Sequence, residues 1–416
     1  MNPVRAVQLR KLRELCALIA RENPFYAARL PGKAIGSLEE FTETVPFTTK
    51  REIIEDQERH PPYGSNLTYP LERYTRFAQT SATTGKPMRW LDTPESWDWM
   101  LGCWARVFDA AGVSARDRIY FAFSFGPFLG FWTAFECAAR RGNLCIPGGG
   151  MRSAARLAGL IDLSATVLCC TPTYAIRLAA TAEEEGIDLG ASKVRTILVA
   201  GEPGGSMPGT RALMERLWRA RVVDHHGMTE IGPVSYGCPK RADVLHVAES
   251  EYIAEVIDPE NGRPAAPGTH GELVLTNLGR HGSPLLRYRT GDVVEAEMEG
   301  VCECGSRDLA LRGGILGRTD DMVVVRGVNV YPAAIDSILR GVGGVAEYRV
   351  EVRTDRALAD LHLDVEPAPD HAADPGLAHR IETALRNALA LRVPVALVPA
   401  GSLPRFEMKA KRWIRV

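Results

Sequence analysis

The sequence predicts an α/β protein. It has a large N-terminal α/β domain with layered sheets and a β-rich subdomain over residues 1–318, then a small α+β domain over 319–416. Three observations predict this. From about residue 115, short apolar runs alternate with helix-like stretches, as in parallel βαβ units. From about 250 the helical stretches give way to strand-like runs joined by a Pro/Gly-rich turn. After Gly317-Arg318, alternating strands and an amphipathic helix return on a smaller scale, as a separate small domain would.

The elements follow in order. Leu9, Leu12, Cys16 and Ile19 recur at helical spacing, so residues 8–22 read as an amphipathic helix ended by Asn23-Pro24. Residues 31–75, rich in Pro, Thr and charge, hold only short helical pieces such as Lys50 to Arg59. The strands of the layered domain are Ile119 to Phe123, Leu144 to Pro147, Thr166 to Cys170 and Thr196 to Ala200, with helices at Tyr174 to Glu185 and Thr210 to Arg219. Tyr252 to Ile257 and Gly271 to Thr276 are the strands of the β-rich part. In the last domain Met322 to Arg326 is a strand and Pro332 to Leu339 a helix. Tyr348, Val350 and Val352, then Leu361, Leu363 and Val365, alternate with polar residues as half-buried strands do. Asp374-Pro375 reads as an N-cap with proline at the first helical position, opening a helix faced by Leu377, Ile381, Leu385 and Leu389.

Composition excludes several classes. With 50 Lys+Arg against 51 Asp+Glu the net charge is −1, which gives no support to a nucleic-acid binder. No apolar run approaches the ~20 residues of a membrane span. Residues 1–9 carry two arginines and no apolar stretch, unlike a secretory leader. Nine cysteines, odd in number and unevenly spread, do not form a disulfide framework and point to a cytoplasmic protein.

Thr80-Ser81-Ala82-Thr83-Thr84-Gly85-Lys86-Pro87 packs hydroxyls, a glycine and a lysine into one loop. Such a loop offers hydroxyl and N–H donors and a cation to polyphosphate oxygens, although taken alone it reads as a solvated turn. The spacing is not that of a P-loop. The segment resembles the T-S-G-T-T-G-K-P signature of the adenylate-forming superfamily of acyl-CoA synthetases, luciferases and peptide-synthetase adenylation domains. Further matches come in the same order: Gly201-Glu202-Pro203; His226-Gly227-Met228-Thr229-Glu230; Tyr288-Arg289-Thr290-Gly291-Asp292; Gly317-Arg318-Thr319-Asp320-Asp321-Met322 with Arg326-Gly327; and Pro404-Arg405 with Lys409. Val45-Pro46-Phe47-Thr48-Thr49-Lys50 and Arg326-Gly327-Val328-Asn329-Val330-Tyr331-Pro332 are similar to the phenylacetate–CoA ligase branch.

The resemblance implies an ATP-dependent ligase in two half-reactions, acid to acyl-adenylate and then transfer to coenzyme A. Ser81, Thr83, Thr84, Gly85 and Lys86 are then expected at the phosphates of ATP, and Thr229 at the α-phosphate. Glu230 would hold Mg²⁺. Gly201, Glu202, Pro203, His226, Gly227 and Met228 would line the adenine, with Asp292 and Arg318 at the ribose. Lys409 would sit between carboxylate and α-phosphate. Asp320 would be the hinge about which a mobile small domain rotates between the half-reactions. Two residues depart from the family pattern: Ala82 where a glycine is usual and His226 where a tyrosine is usual. The acceptor stays open between coenzyme A, an amine or hydroxyl of a second small molecule (as in secondary-metabolite condensation of aminohydroxybenzoates), and a carrier-protein thiol. A non-catalytic nucleotide-binding regulator is the other class of reading, and retention of Lys86, Glu230, Asp292 and Lys409 argues against it. Neither nucleic acid nor membrane is an expected partner, and monomer and homodimer are both open.

Phe121, Phe123, Phe125, Phe128, Phe131, Trp132 and Phe135 crowd one segment, in the region that holds the family's acyl pocket. Phe125, Phe128, Phe131 and Gly149 are therefore candidates for a pocket that takes a flat aromatic acid. Cys238, His246, Cys302 and Cys304 flank the β-rich part from both sides, and three sulfurs with one imidazole would complete a tetrahedral structural Zn²⁺ shell. Some phenylacetate–CoA ligase relatives carry a site of similar layout. The remaining cysteines lie in apolar runs and read as core.

Overall fold

The computed structural model describes residues 3–80, 87–298, 300–326, 328–355, 358–406 and 412–416. The phosphate-loop candidates Ser81, Ala82, Thr83, Thr84, Gly85 and Lys86, together with Gly327 and Lys409, lie outside the described residues.

A five-stranded parallel sheet forms the first layer. Its spatial order is Leu144–Pro147, Arg118–Phe121, Val167–Cys170, Thr196–Val199 and Arg221–Asp224. Its three central strands lie almost wholly inside, because helices cover both faces, so their residues read as continuous apolar runs. Phe121, Cys169, Leu198 and Val223 point into one core with Trp104 and Phe108 of the helix Pro94–Ala110. Tyr120, Leu168, Ile197 and Val222 point into the other, against the helices Ser153–Asp162, Pro172–Glu184 and Pro208–Trp218.

A six-stranded antiparallel sheet forms the β-rich part, in the order Ser235–Gly237, Val244–Val247, Ala310–Arg318, Tyr288–Ala296, His270–Asn277 and Tyr252–Ile257. The N-terminal helix is longer than its apolar stripe suggested, Pro3–Glu22, and buries Leu12, Leu15 and Ile19 completely. Asn23 ends it by capping the short helix Pro24–Ala27, accepting from the Tyr26 N–H at 3.1 Å.

Beyond the hairpin Val323–Val325/Val328–Val330 comes a four-stranded mixed sheet, in the order Val395–Leu397, Leu358–Pro367, Val345–Asp355 and Trp413–Arg415. The helices Pro332–Val342 and Leu377–Leu389 pack on it. The last helix departs from its expected start at Asp374-Pro375. The last helix begins at Leu377 with Gly376 as its N-cap, two residues after Pro375. Asp374 instead closes a turn, accepting from the Gly376 N–H at 2.9 Å and holding Arg380 at 2.6 Å. Because the carboxylate is taken by that turn and by an arginine one helical turn on, it caps no helix.

Candidate functional site

The site is built along the C-terminal edge of the parallel sheet, where backbone groups are free and loops converge. Strand Thr196–Val199 runs into Gly201, whose φ of +93° favours glycine. The Glu202 carboxylate accepts from the Thr173 N–H at 2.8 Å and the Thr173 hydroxyl at 2.5 Å, in the first turn of the helix Pro172–Glu184 that leaves the neighbouring strand Val167–Cys170. A Cβ on Gly205 would collide with the Asp224 carboxyl, so this turn packs directly on the end of strand Arg221–Asp224.

Asp224 and His225 are residues that motif reasoning passed over. Asp224 is buried, accepts from the Ser206 hydroxyl at 2.7 Å and from the His225 N–H at 3.0 Å, and burial raises its carboxyl pKa. The His225 ring lies 4.3 Å from that of Trp104, and its Nδ1 is 2.6 Å from the Ser235 carbonyl. Burial pushes this imidazole down to about 3, so it is neutral with its proton on Nδ1. The only signal in the sequence was a paired His-His after a strand, which carries no chemistry by itself.

His226, Asp292 and Arg318 converge. The His226 Nε2 is 2.9 Å from one Asp292 oxygen, and Arg318 Nη1 donates to the other at 3.0 Å. Asp292 and Arg318 are register partners on adjacent strands, which explains why motifs far apart in sequence meet. Burial alone would raise the Asp292 carboxyl, but His226 and Arg318 hold it below the ordinary carboxylate range. Arg318 also donates through Nε to Asp320 at 2.9 Å, tying the expected hinge to the same cluster. His226 Nδ1 is buried without a partner, a donor or acceptor still to be satisfied.

Thr229 and Glu230 follow on a turn after the short strand Gly227–Met228. Glu230 is buried and burial raises its pKa, a setting that favours a bound cation as partner. The turn is held from beneath by Arg280, also missed at the level of motifs, which donates to the Thr229 carbonyl at 2.7 Å and the Glu230 carbonyl at 2.8 Å. A hairpin, Arg76–Gln79 with Arg89–Asp92, flanks residues 81–86 and is joined by Thr80 N–H to Met88 O at 3.0 Å.

The aromatic candidates pack on one another. Phe123 and Phe131 stack at 3.7 Å, and Phe125 meets Trp132 and Phe135 edge-on at 5.0 and 5.3 Å. A Cβ on Gly149 would lie 3.0 Å from the Phe125 ring. Phe128 packs back on Gly126. Phe125 and Phe131 border the core cluster that contains Trp104.

Cys238, His246, Cys302 and Cys304 come together with all ligand atoms within 4.8 Å of one another. Cys238 Sγ lies 3.6 Å from Cys302 Sγ, and Cys304 Sγ lies 3.4 Å from His246 Nε2. Two ligands bound at ~2.0–2.3 Å with a tetrahedral angle would be about 3.5–3.8 Å apart, so the donor set fits zinc. His246 Nδ1 is 3.1 Å from the Asp308 carbonyl, which orients Nε2 toward the sulfurs in the usual manner of a zinc-bound imidazole.

Comparison with known proteins adds to this geometry. Residues 78–279 match the family model of the AMP-binding enzymes, and residues 327–415 match that of the AMP-binding enzyme C-terminal domain. A phenylacetate–coenzyme A ligase of Thermus thermophilus is 29% identical over 97% of this chain and 94% of its own. That of Escherichia coli is 29% identical over 88% and 83%. Crystal structures of 2-hydroxyisobutyryl-CoA ligase in the postadenylation state with bound acyl-AMP superpose at TM-scores of 0.92 and 0.93, with 28% identity, over 99% of this chain and 89% of that chain. The same ligase in the thioesterification state with CoA scores 0.74. With its motifs in order and both family models matched, the chain belongs to the AMP-binding, adenylate-forming enzymes and is a homologue of their phenylacetate–CoA ligases.

Proposed function

We propose that this enzyme is an ATP-dependent acid–thiol ligase that adenylates an aromatic carboxylic acid and transfers the acyl group to coenzyme A. The observation that carries the reading is the convergence of His226, Asp292 and Arg318 beside the Thr229–Glu230 turn. A carboxylate held ionised by two partners is a fit acceptor for ribose hydroxyls.

In the first half-reaction a carboxylate oxygen of the acid attacks the α-phosphorus of ATP, and pyrophosphate leaves. Two anions meet, so the residues contribute mainly positive charge and donors. Lys86 and the hydroxyls of Ser81, Thr83 and Thr84 take the phosphates with the Gly85 backbone, Thr229 the α-phosphate, and Lys409 the space between the two anions. Glu230 would hold Mg²⁺, which when bound neutralises phosphate charge. In the second half-reaction the CoA sulfur attacks the acyl carbon, AMP leaves, and the thiol proton passes to solvent. The small domain, beginning after Arg318, rotates about Asp320 between the two, and the superposition on the postadenylation state of the related ligase supports an adenylation-side arrangement. Cys238, His246, Cys302 and Cys304 would hold a structural Zn²⁺. An aryl acid is favoured by the Phe123, Phe125 and Phe131 rings at the sheet edge. No disulfide joins the cysteines of the described residues, and the site of action proposed is the reducing cytoplasm.

The test is ATP–pyrophosphate exchange over a panel of phenylacetates, benzoates and 2-hydroxyisobutyrate, followed by product mass analysis with and without CoA. Aryl-acid-dependent exchange and a CoA-dependent thioester are expected. Preference for the aliphatic acid overturns the aromatic assignment. AMP release without CoA, accompanied by an ester or amide, overturns the acceptor.

A further inference from the structure

We infer that Gly209, Thr210, Asp336 and Ser337 form an interdomain latch that holds the C-terminal domain in place for acyl-adenylate formation. These are positioning residues for the first half-reaction, and the inference rests on the ligase reading above.

The helix Pro208–Trp218 begins without a cap of its own: Met207 stands at the N-cap and no side chain within the helix start accepts its N–H groups. A helix start leaves such donors orphaned and carries a partial positive charge. Here the other domain supplies the partners. The Gly209 N–H donates to the Ser337 hydroxyl at 3.2 Å, and the Thr210 hydroxyl donates to the Asp336 carboxylate at 3.1 Å. Both acceptors lie on the helix Pro332–Val342, so one domain caps a helix of the other.

The contact is tight enough to require glycine. A Cβ on Gly209 would overlap the Ser337 carbonyl oxygen and approach the Gly341 nitrogen to 3.0 Å. Neither Gly209 nor Gly341 has a positive φ, so glycine is needed at this crossing for closeness and not for backbone freedom.

Each side of the latch is wired to one half of the site. Thr210 is 2% exposed, and a Cβ on Gly204 would lie 3.3 Å from its methyl, so Thr210 supports the Gly201–Gly205 turn from below. On the other side Asp336 faces Arg340 at 3.4 Å and Arg412 at 3.9 Å, and Arg412 is anchored to Glu347 at 2.5 Å. Arg412 lies three residues after Lys409. The latch thus joins the nucleotide-side turn to the strand that follows the catalytic-lysine segment. The arrangement superposes at 0.92–0.93 on the postadenylation state of the related ligase and at 0.74 on its thioesterification state.

The experiment compares Gly209→Ala, Thr210→Val and Ser337→Ala with the parent chain in two assays: acid-dependent ATP–pyrophosphate exchange, and thioester formation from CoA and supplied acyl-adenylate. Taking the ratio of the two rates cancels any loss of folded enzyme. Gly209→Ala is expected to lower the exchange-to-thioester ratio about tenfold, within the range of interdomain coupling energies. Ser337→Ala and Thr210→Val should lower it several-fold, as loss of a helix cap would. Equal loss in both assays, or an unchanged ratio, overturns the latch. Should the parent chain perform neither half-reaction, the ligase reading fails separately, and small-angle scattering of the ligand-free chain decides the latch. A profile matching the present arrangement in the parent and altered in Gly209→Ala supports it, and indistinguishable profiles overturn it.

Discussion

Asp92 and Arg280 form a bidentate ion pair, 2.7 Å at both contacts, with neither side chain exposed to solvent. The guanidinium also lies over the Trp90 ring, 5.3 Å from its centroid, and its third nitrogen, Nη1, donates to the Thr229 and Glu230 carbonyls. One buried pair therefore links the hairpin that flanks residues 81–86, the expected phosphate loop, to the turn expected to meet the α-phosphate.

Removing one partner leaves an uncompensated buried charge. Asp92→Ala should lower unfolding free energy by about 3–5 kcal/mol, measured by denaturant titration. Paired replacement of Asp92 and Arg280 by apolar residues should recover much of that stability while exchange activity stays low, because the Thr229–Glu230 turn has lost its support. Full activity in the double variant would separate the pair from the site.

Lys409→Ala should reduce acid-dependent pyrophosphate exchange by about 10²–10³-fold, the usual cost of losing one preorganised charge at a reacting oxyanion. Thioester formation from supplied acyl-adenylate should persist. Loss of both would mean that the lysine serves folding or the second half as well.

Protein purified without chelator should carry about one zinc per chain, and Cys304→Ser should lose it. Because ligand assembly is coupled to folding, metal loss should lower the thermal midpoint and leave the order of preferred acids unchanged. Elemental analysis and a melting curve check both parts. A change in acid selectivity would overturn the purely structural role.

Glu230 predicts a pH signature. Burial raises its folded pKa above the unfolded value near ~4.3. Below that value both states are protonated and the residue contributes nothing. As pH rises through and beyond it, only the unfolded chain ionises freely, and folding is penalised. In ligand-free protein Glu230→Gln should thus melt with the parent at pH 4 and above it at pH 7, while adenylation is lost. A melting difference independent of pH would contradict the buried-carboxylate account.

Residue patterns alone carried the chain far. Alternation at Tyr348, Val350 and Val352 found a half-buried strand because side-chain direction in a strand has a period of two. The strand bounds of Leu144–Pro147 and Tyr252–Ile257 and the helix Lys50–Arg59 fell where turn residues and periodicity put them. Cys238, His246, Cys302 and Cys304 are picked out by residue type together with the family resemblance, and the fold brings their donor atoms within 4.8 Å of one another. Other features depend on contacts between segments far apart in the chain. Asp374 lost the role of helix cap to a local turn and Arg380, a competition between partners that spacing does not rank. Glu202 is held by Thr173 at the start of the helix Pro172–Glu184, because an anion beside a helix start is favourable wherever the fold places one. Arg280, 188 residues from Asp92, gains its role only when two layers close around it and exclude water. Gly209 is an ordinary glycine until a second helix crosses it. Local pattern decided the elements and the chemistry of the motifs; tertiary packing decided which charges are buried, whom they meet, and where two domains touch, because those energies come from desolvation and close contact between distant residues.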